Sequence, residues 1–454
     1  MKKLLPADRN GRFAFFGAAL GLLALTALLI AWWPRSYGAL GKLAALACAG
    51  VFAGLGLRFM PVWARFWSSE PLPAAPRPDE PTRMVWKLFF ALLGFILGVW
   101  LLAFLLRCAL GYRGGLWASM DFWTCADSRH YLDIANDWYL SEGEMDRLVQ
   151  LVFLPGYPIL VRALRLLTGH TLAAGLLGSA LCFAGAGCVF YRLLRLDYPH
   201  ETALRALLFA CLLPGSFFYA APMSESLFLL TSLSCVYLVR RGRWLPGCLC
   251  GFWAAFTRSL GLMLLAPLVL ELVADALRGR EAPTRRKTLL HAAALCLIPL
   301  GFGAYCLVNV QVSGEPLRFM TYQAEHWGQR LGLFFNTAAY QAELAVASWA
   351  EKPSNTLGLW LPNLLYLFAA PALVALAARR LRASYTAWFI AYYLVAVGAT
   401  WLLSAPRYLM AMPVLPLALA LLTDRERGKS AALITLTALW VLYFIPFLLR
   451  WQVW

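Results

Sequence analysis

Thirteen apolar runs, each close to the length that crosses a bilayer, constrain this chain more than any other feature. A spanning helix needs about 20 mostly apolar residues. Such runs occupy about residues 14–33, 38–57, 88–106, 171–191, 206–222, 224–239, 244–257, 260–275, 288–309, 355–377, 383–403, 408–423 and 430–449. They predict an all-α polytopic membrane protein of about 13 transmembrane helices. Of the 454 residues 61% are hydrophobic and 14% charged, whereas a soluble chain would carry roughly a quarter charged, so a water-facing globular enzyme is excluded. The formal charge of +17 is not a nucleic-acid footprint, because most of this surface faces membrane lipids.

The cations work better as an orientation signal. With a cytoplasmic N-terminus, every second connection collects a basic cluster: Lys2, Lys3, Arg9 and Arg12, then Arg58 to Lys87, Arg192 to Arg205, Arg240 to Arg243, Arg278 to Lys287, Arg379 to Arg382, and Arg425 to Lys429. Together these hold 26 of the 40 Lys and Arg, as the positive-inside rule asks. The first run ends in Trp32, Trp33 and Pro34 with no small-residue cleavage site, which reads as a retained anchor. Residues 149–167 are apolar too, but Pro155, Gly156 and Pro158 interrupt them and Arg162 and Arg165 follow, so an interfacial or re-entrant helix on the outer face is expected.

The resulting organisation is an N-terminal membrane unit with a Pro-rich linker (1–106), an outer loop with interfacial helices (107–170), central spans (171–309), a second outer loop (310–354) and C-terminal spans (355–454). Nine of the 11 Cys lie in apolar runs and read as packing residues. Cys108 and Cys125 share the outer loop, where one disulfide is possible but unforced.

Chemistry concentrates in that first outer loop. Between residues 108 and 148 it holds Asp121, Asp127, Asp133, Asp137, Glu142, Glu144 and Asp146. The plain alternative is a solvated loop that balances orientation. If ADSRHYLDIANDWY (126–139) is helical, Asp127, His130, Ile134 and Asp137 share one stripe. Phe122, Trp123, Tyr131, Trp138 and Tyr139 would hold that helix at the membrane interface. A carboxylate at the bilayer edge is partly desolvated, which suits it to general-base work.

ADSRHYLDIANDWY followed by LVFLPGYP (151–158) resembles the signature of the PIG-V family, the transferases that add the second mannose of the GPI anchor, and of their bacterial relatives. Asp127, His130, Tyr131, Ile134, Ala135 and Tyr139 fall on the first element, and Phe153, Pro155, Tyr157 and Pro158 on the second. Ala126 stands where Trp is usual and Trp138 where Gly is usual. LLPGSFFYAAPMSESLFLL (212–230) and AAFTRSLGL (254–262) extend the likeness, with Glu225 and Arg258; FMTYQAEHW (319–327) and APRYLMAMPVLP (405–416) add Gln323, Trp327, Arg407 and Tyr408.

The resemblance implies a GT-C-type fold and an inverting glycosyltransferase in the inner (plasma) membrane. It would move a sugar, mannose by the likeness, from a polyprenyl-phosphate donor to an extracytoplasmic lipid or glycan acceptor. Asp127 would be the general base, with His130, Tyr131, Glu225, Arg258, Gln323, Trp327, Arg407 and Tyr408 binding substrate. Arg258 and Arg407 are the phosphate candidates, since guanidinium grips its oxygens bidentately; for Arg258 the alternative is a structural pair with Glu225. Ser224 and Ser226 could instead serve only as helix caps. No zinc spacing exists and no cofactor is required, although the acidic loop could recruit a divalent cation. The rival class is a transporter or flippase of polyprenyl-linked sugars, which would favour repeated halves and mid-bilayer polar groups.

Overall fold

The computed structural model describes residues 9–67, 82–139, 149–278 and 285–453. Most of the Pro-rich linker, with Glu142, Glu144 and Asp146, lies outside the described residues. Apart from one bridge between Leu331 and Ala399, the regular structure among the described residues is helical. The protein is an all-α polytopic membrane protein, as expected where lipid offers no partner for open backbone groups.

Among the described residues, eight helical segments have the length and apolarity of a span. They are α1 (Arg9–Ala31), α2 (Ala39–Trp67) and α3 (Thr82–Ala109), then, beyond the short α4 (Ser128–Asp137) and α5 (Gly156–Thr168), α6 (Thr171–Leu194). After α7 (His200–Leu212), α8 (Glu225–Arg240) and α9 (Trp244–Thr257) come α10 (Leu265–Arg278) with its leading 3₁₀ turn, and the joined α11 (Arg285–Leu295) and α12 (Leu297–Ser313). Past α13 (Arg318–Trp327) and α14 (Phe334–Glu351), the last two are α15 (Leu361–Ala377) with its flanking turns and, after α16 (Ala383–Ala396), α17 (Ala405–Met410) and α18 (Val414–Leu422), α19 (Glu426–Leu448).

The other five apolar runs are shorter or broken helices. The chain breaks at Pro214 and Gly215, the latter at φ 92°, again between Val397 and Ser404, and again between Ala411 and Pro413. Such breaks survive at membrane depth only where protein groups take up the freed backbone. Tyr366 donates to the carbonyl of Pro214 (2.8 Å) and Tyr219 to that of Met410 (3.0 Å). Residues 149–167 form a 3₁₀ turn and the 13-residue α5, too short to span. Its Arg162 and Arg165 hold the end of α4, through the carbonyls of Ala135 (3.1 Å) and Asn136 (3.0 Å) and the Asn136 side chain (2.8 Å).

The aromatics expected at the interface are mostly core. Trp123, Phe122, Tyr131 and Tyr139 are buried, and Trp123 packs on Phe447 of α19. The helix bundle closes over this loop, so the rings meet protein before they reach headgroups. Cys108 and Cys125 are both free thiols.

At the end of α8 remote from Glu225, Arg240 and Arg382, expected only as orientation charges, form a buried network with Asp197 and Glu271. Arg240 grips Asp197 with two 2.8 Å bonds, Arg382 grips Glu271 at 2.6 and 2.8 Å, and Arg240 approaches Glu271 at 3.7 Å. Tyr385 donates to Asp197 and Ser384 to Glu271. This latch ties the ends of α6, α8, α10 and α16. Removing one partner of a buried pair strands the other charge, at a cost of about 3–5 kcal/mol. Asp197→Leu is therefore expected to shorten the inactivation half-life in detergent sharply while leaving turnover per folded molecule unchanged.

Candidate active site

Each charged residue of the site sits at a helix break. Asp127 precedes α4, Glu225 opens α8, Arg258 lies extended between α9 and the turn before α10 (φ −151°, ψ 138°), and Arg407 is in the short α17. A side chain at a break escapes the lipid-facing stripe of a continuous helix, so four distant segments can aim charges at one point.

Arg407 Nη2 forms an ion pair with Oδ2 of Asp127 at 2.6 Å, and its Nε faces Oε1 of Glu225 at 3.3 Å. That second approach lacks hydrogen-bond geometry, since Nε has no hydrogen-bond partner among the described residues; it is a charge contact. Arg258 donates from Nη1 to the same Glu225 oxygen at 2.6 Å and to Oγ of Ser224 at 3.2 Å. Two carboxylates and two guanidiniums thus make a neutral cluster. The Tyr408 ring lies against both cations, 5.4 Å from Arg258 and 5.5 Å from Arg407.

Accessibility divides the four. The Glu225 side chain is 2% exposed and that of Arg407 5%, against 14% for Arg258 and 24% for Asp127. Asp127 is the most exposed of the four and Arg258 the next, and the buried Glu225 and Arg407 connect them.

Local sequence explains the placement. Ala126 takes φ 45° and Trp138 φ 60° with ψ −160°, positive-φ backbone that costs an L-residue on the order of 1–3 kcal/mol. Trp138 carries a penalty that Gly would not, and the Arg162 guanidinium lies 5.7 Å above its ring. Both outliers flank α4, and strain of this kind gathers at functional sites. Gly156, in LPGYP, lets α5 lie directly against Thr257 and the carbonyl of Phe256, where any Cβ would collide. This contact fixes the residue just before Arg258.

Ser224 does not cap α8 with its side chain. Its hydroxyl meets Tyr131 at 2.8 Å as well as Arg258, and Ser226 donates to the carbonyl of Tyr219 at 3.2 Å, so the expected capping role gives way to site contacts. Tyr131 is buried, and burial raises its pKa well above the ordinary phenol value, leaving it a neutral hydrogen-bonding group.

His130 stacks on Phe153 (centroids 4.6 Å, interplanar 16°), and Phe153 meets Trp327 edge-on at 5.9 Å. Burial lowers the His130 pKa, against the opposing pull of Asp127 and Asp133, so the ring is neutral at pH 7. Gln323 turns away and donates to Gln329 at 2.5 Å. Asp137 is exposed beyond the buried Ile134, so the full four-residue stripe does not reach the site. No group of three or more His, Cys, Asp or Glu among the described residues could hold a metal ion. The Asp127–Arg407 pairing joins parts of the chain too far apart for any spacing to signal it.

Residues 115–309 match the family model described as Mannosyltransferase (PIG-V). GPI alpha-1,6-mannosyltransferase 2 of Homo sapiens is 34% identical over 166 residues, 33% of this chain and 31% of the human protein. The match thus spans under a third of that relative's length. The family match takes in Asp127, His130, Tyr131, Glu225 and Arg258, and stops short of Gln323, Trp327, Arg407 and Tyr408.

Proposed function

We propose that this protein is a membrane mannosyltransferase that moves mannose from a polyprenyl-phosphate donor to an extracytoplasmic acceptor with inversion. The observation that carries the reading is the chain of ion pairs from Asp127 through Arg407 and Glu225 to Arg258, whose two ends are its most exposed members, with Asp127, Glu225 and Arg258 inside the stretch similar to mannosyltransferases. A polyprenyl phosphate leaves as an anion and needs charge neutralisation, not a proton, so a second working carboxyl of the glycosidase kind is unnecessary.

In the proposed step Asp127 takes the proton of the acceptor hydroxyl. The hydroxyl oxygen bonds to the anomeric carbon from the face opposite the phosphate, and the carbon–oxygen bond to the phosphate breaks, its electron pair leaving with the polyprenyl phosphate. Arg258 is the phosphate cation. Arg407 holds one oxygen of Asp127, which leaves the other for the acceptor; Glu225 holds both guanidiniums in place. The donor is lipid-borne in this reading, and the basic clusters support an extracytoplasmic placement.

The test is transfer by the purified full-length protein in liposomes supplied with polyprenyl-phosphomannose and candidate lipid or glycan acceptors. A new mannosyl bond is expected. Movement of the donor across the bilayer with no new bond would contradict the reading and favour a flippase.

A further inference from the structure

The break between α16 and α17 directs Arg407, and two buried amides from other helices occupy it. Gln341 of α14 is fully buried and Asn363 of α15 nearly so. Asn363 accepts from the backbone N–H of Ala405 at 2.8 Å, acting as a cap supplied in trans for the first turn of α17. Its Nδ2 donates to the carbonyl of Leu402 at 3.1 Å, a carbonyl that also receives Gln341 Nε2 at 2.7 Å. Tyr340 accepts from the N–H of Leu402 at 2.5 Å. The guanidinium of Arg407 begins two residues beyond the captured N–H.

Buried amides require every partner to be present. An apolar side chain of similar size would fill the space at Asn363 but could not cap α17. We propose that Asn363 is a positioning residue that sets the direction of Arg407 and, through it, of Asp127. This rests on the reading of Asp127 and Arg407 as the working pair.

The test compares Asn363→Leu and Asn363→Asp with wild type in liposomes containing polyprenyl-phosphomannose. Asn363→Leu is expected to lower kcat at least tenfold with donor KM within twofold, and to add no further loss to Arg407→Ala. In Asn363→Asp the protonated carboxyl restores both donor and acceptor, whereas the ionised form repels the Leu402 carbonyl. Asn363→Asp, which keeps the oxygen that caps Ala405, is expected to retain more activity than Asn363→Leu. Equal losses in the two variants, or losses that multiply with Arg407→Ala, would overturn the proposal while leaving the transfer function standing. A structure of Asn363→Leu gives an arm independent of activity. Arg407 withdrawn from Asp127 is the expected result, and an unchanged pair would overturn the proposal whether or not wild type transfers mannose.

Discussion

Asp127→Asn should abolish transfer and, at the same time, bind polyprenyl phosphate more tightly than wild type. The first effect is loss of the base, worth typically 10²–10⁴-fold. The second comes from charge. Asp127 and Glu225 balance Arg258 and Arg407, so the amide leaves the cluster with one net positive charge at nearly unchanged volume. At an effective dielectric near 20 a nearby unit charge is worth a few kcal/mol, so a gain of at least about tenfold in affinity is expected. Equilibrium binding of a short-chain polyprenyl phosphate, alongside turnover, checks both. A purely structural role for Asp127 would instead make the variant unstable and its anion binding weaker.

The second large effect falls on Glu225. One of its oxygens meets Arg258 at 2.6 Å and Arg407 at 3.3 Å in a side chain that is 2% exposed. Glu225→Leu strands the Arg258 guanidinium and leaves Arg407 with Asp127 alone, so its cost is expected towards the top of the about 3–5 kcal/mol range for a broken buried pair. It should reduce the folded yield in detergent more than Asp197→Leu does at the opposite end of α8, and the surviving protein should not transfer sugar. Glu225→Gln keeps the shape and one acceptor oxygen, and should recover folding before it recovers activity.

Much of this was legible in the sequence. The apolar runs mark the membrane class, and ADSRHYLDIANDWY, SES, TRS and APRY mark the four chain segments that meet. What sequence does not carry is partnership between distant segments. Arg240 and Arg382 read as orientation charges, yet each is clasped by a carboxylate in the interior. Nor does apolarity distinguish lipid from protein as a neighbour. In α1 the most apolar window has no buried residue, whereas in α6 72% of it is buried. Asn363 and Gln341 carry no motif at all; they become meaningful only once the broken strand of chain between Val397 and Ser404 lies against them.

The central claim is that the Asp127 and Arg258 end of this cluster receives the donor. The most direct measurement is a structure of the Asp127→Asn protein with polyprenyl-phosphomannose bound. The account predicts the phosphate within hydrogen-bond reach of Arg258 and the mannose beside residue 127, its anomeric carbon open to an acceptor on the face away from the phosphate. A donor bound elsewhere, for example against the Asp197–Arg240 end of the bundle, or one whose phosphate makes no contact with Arg258, would contradict it.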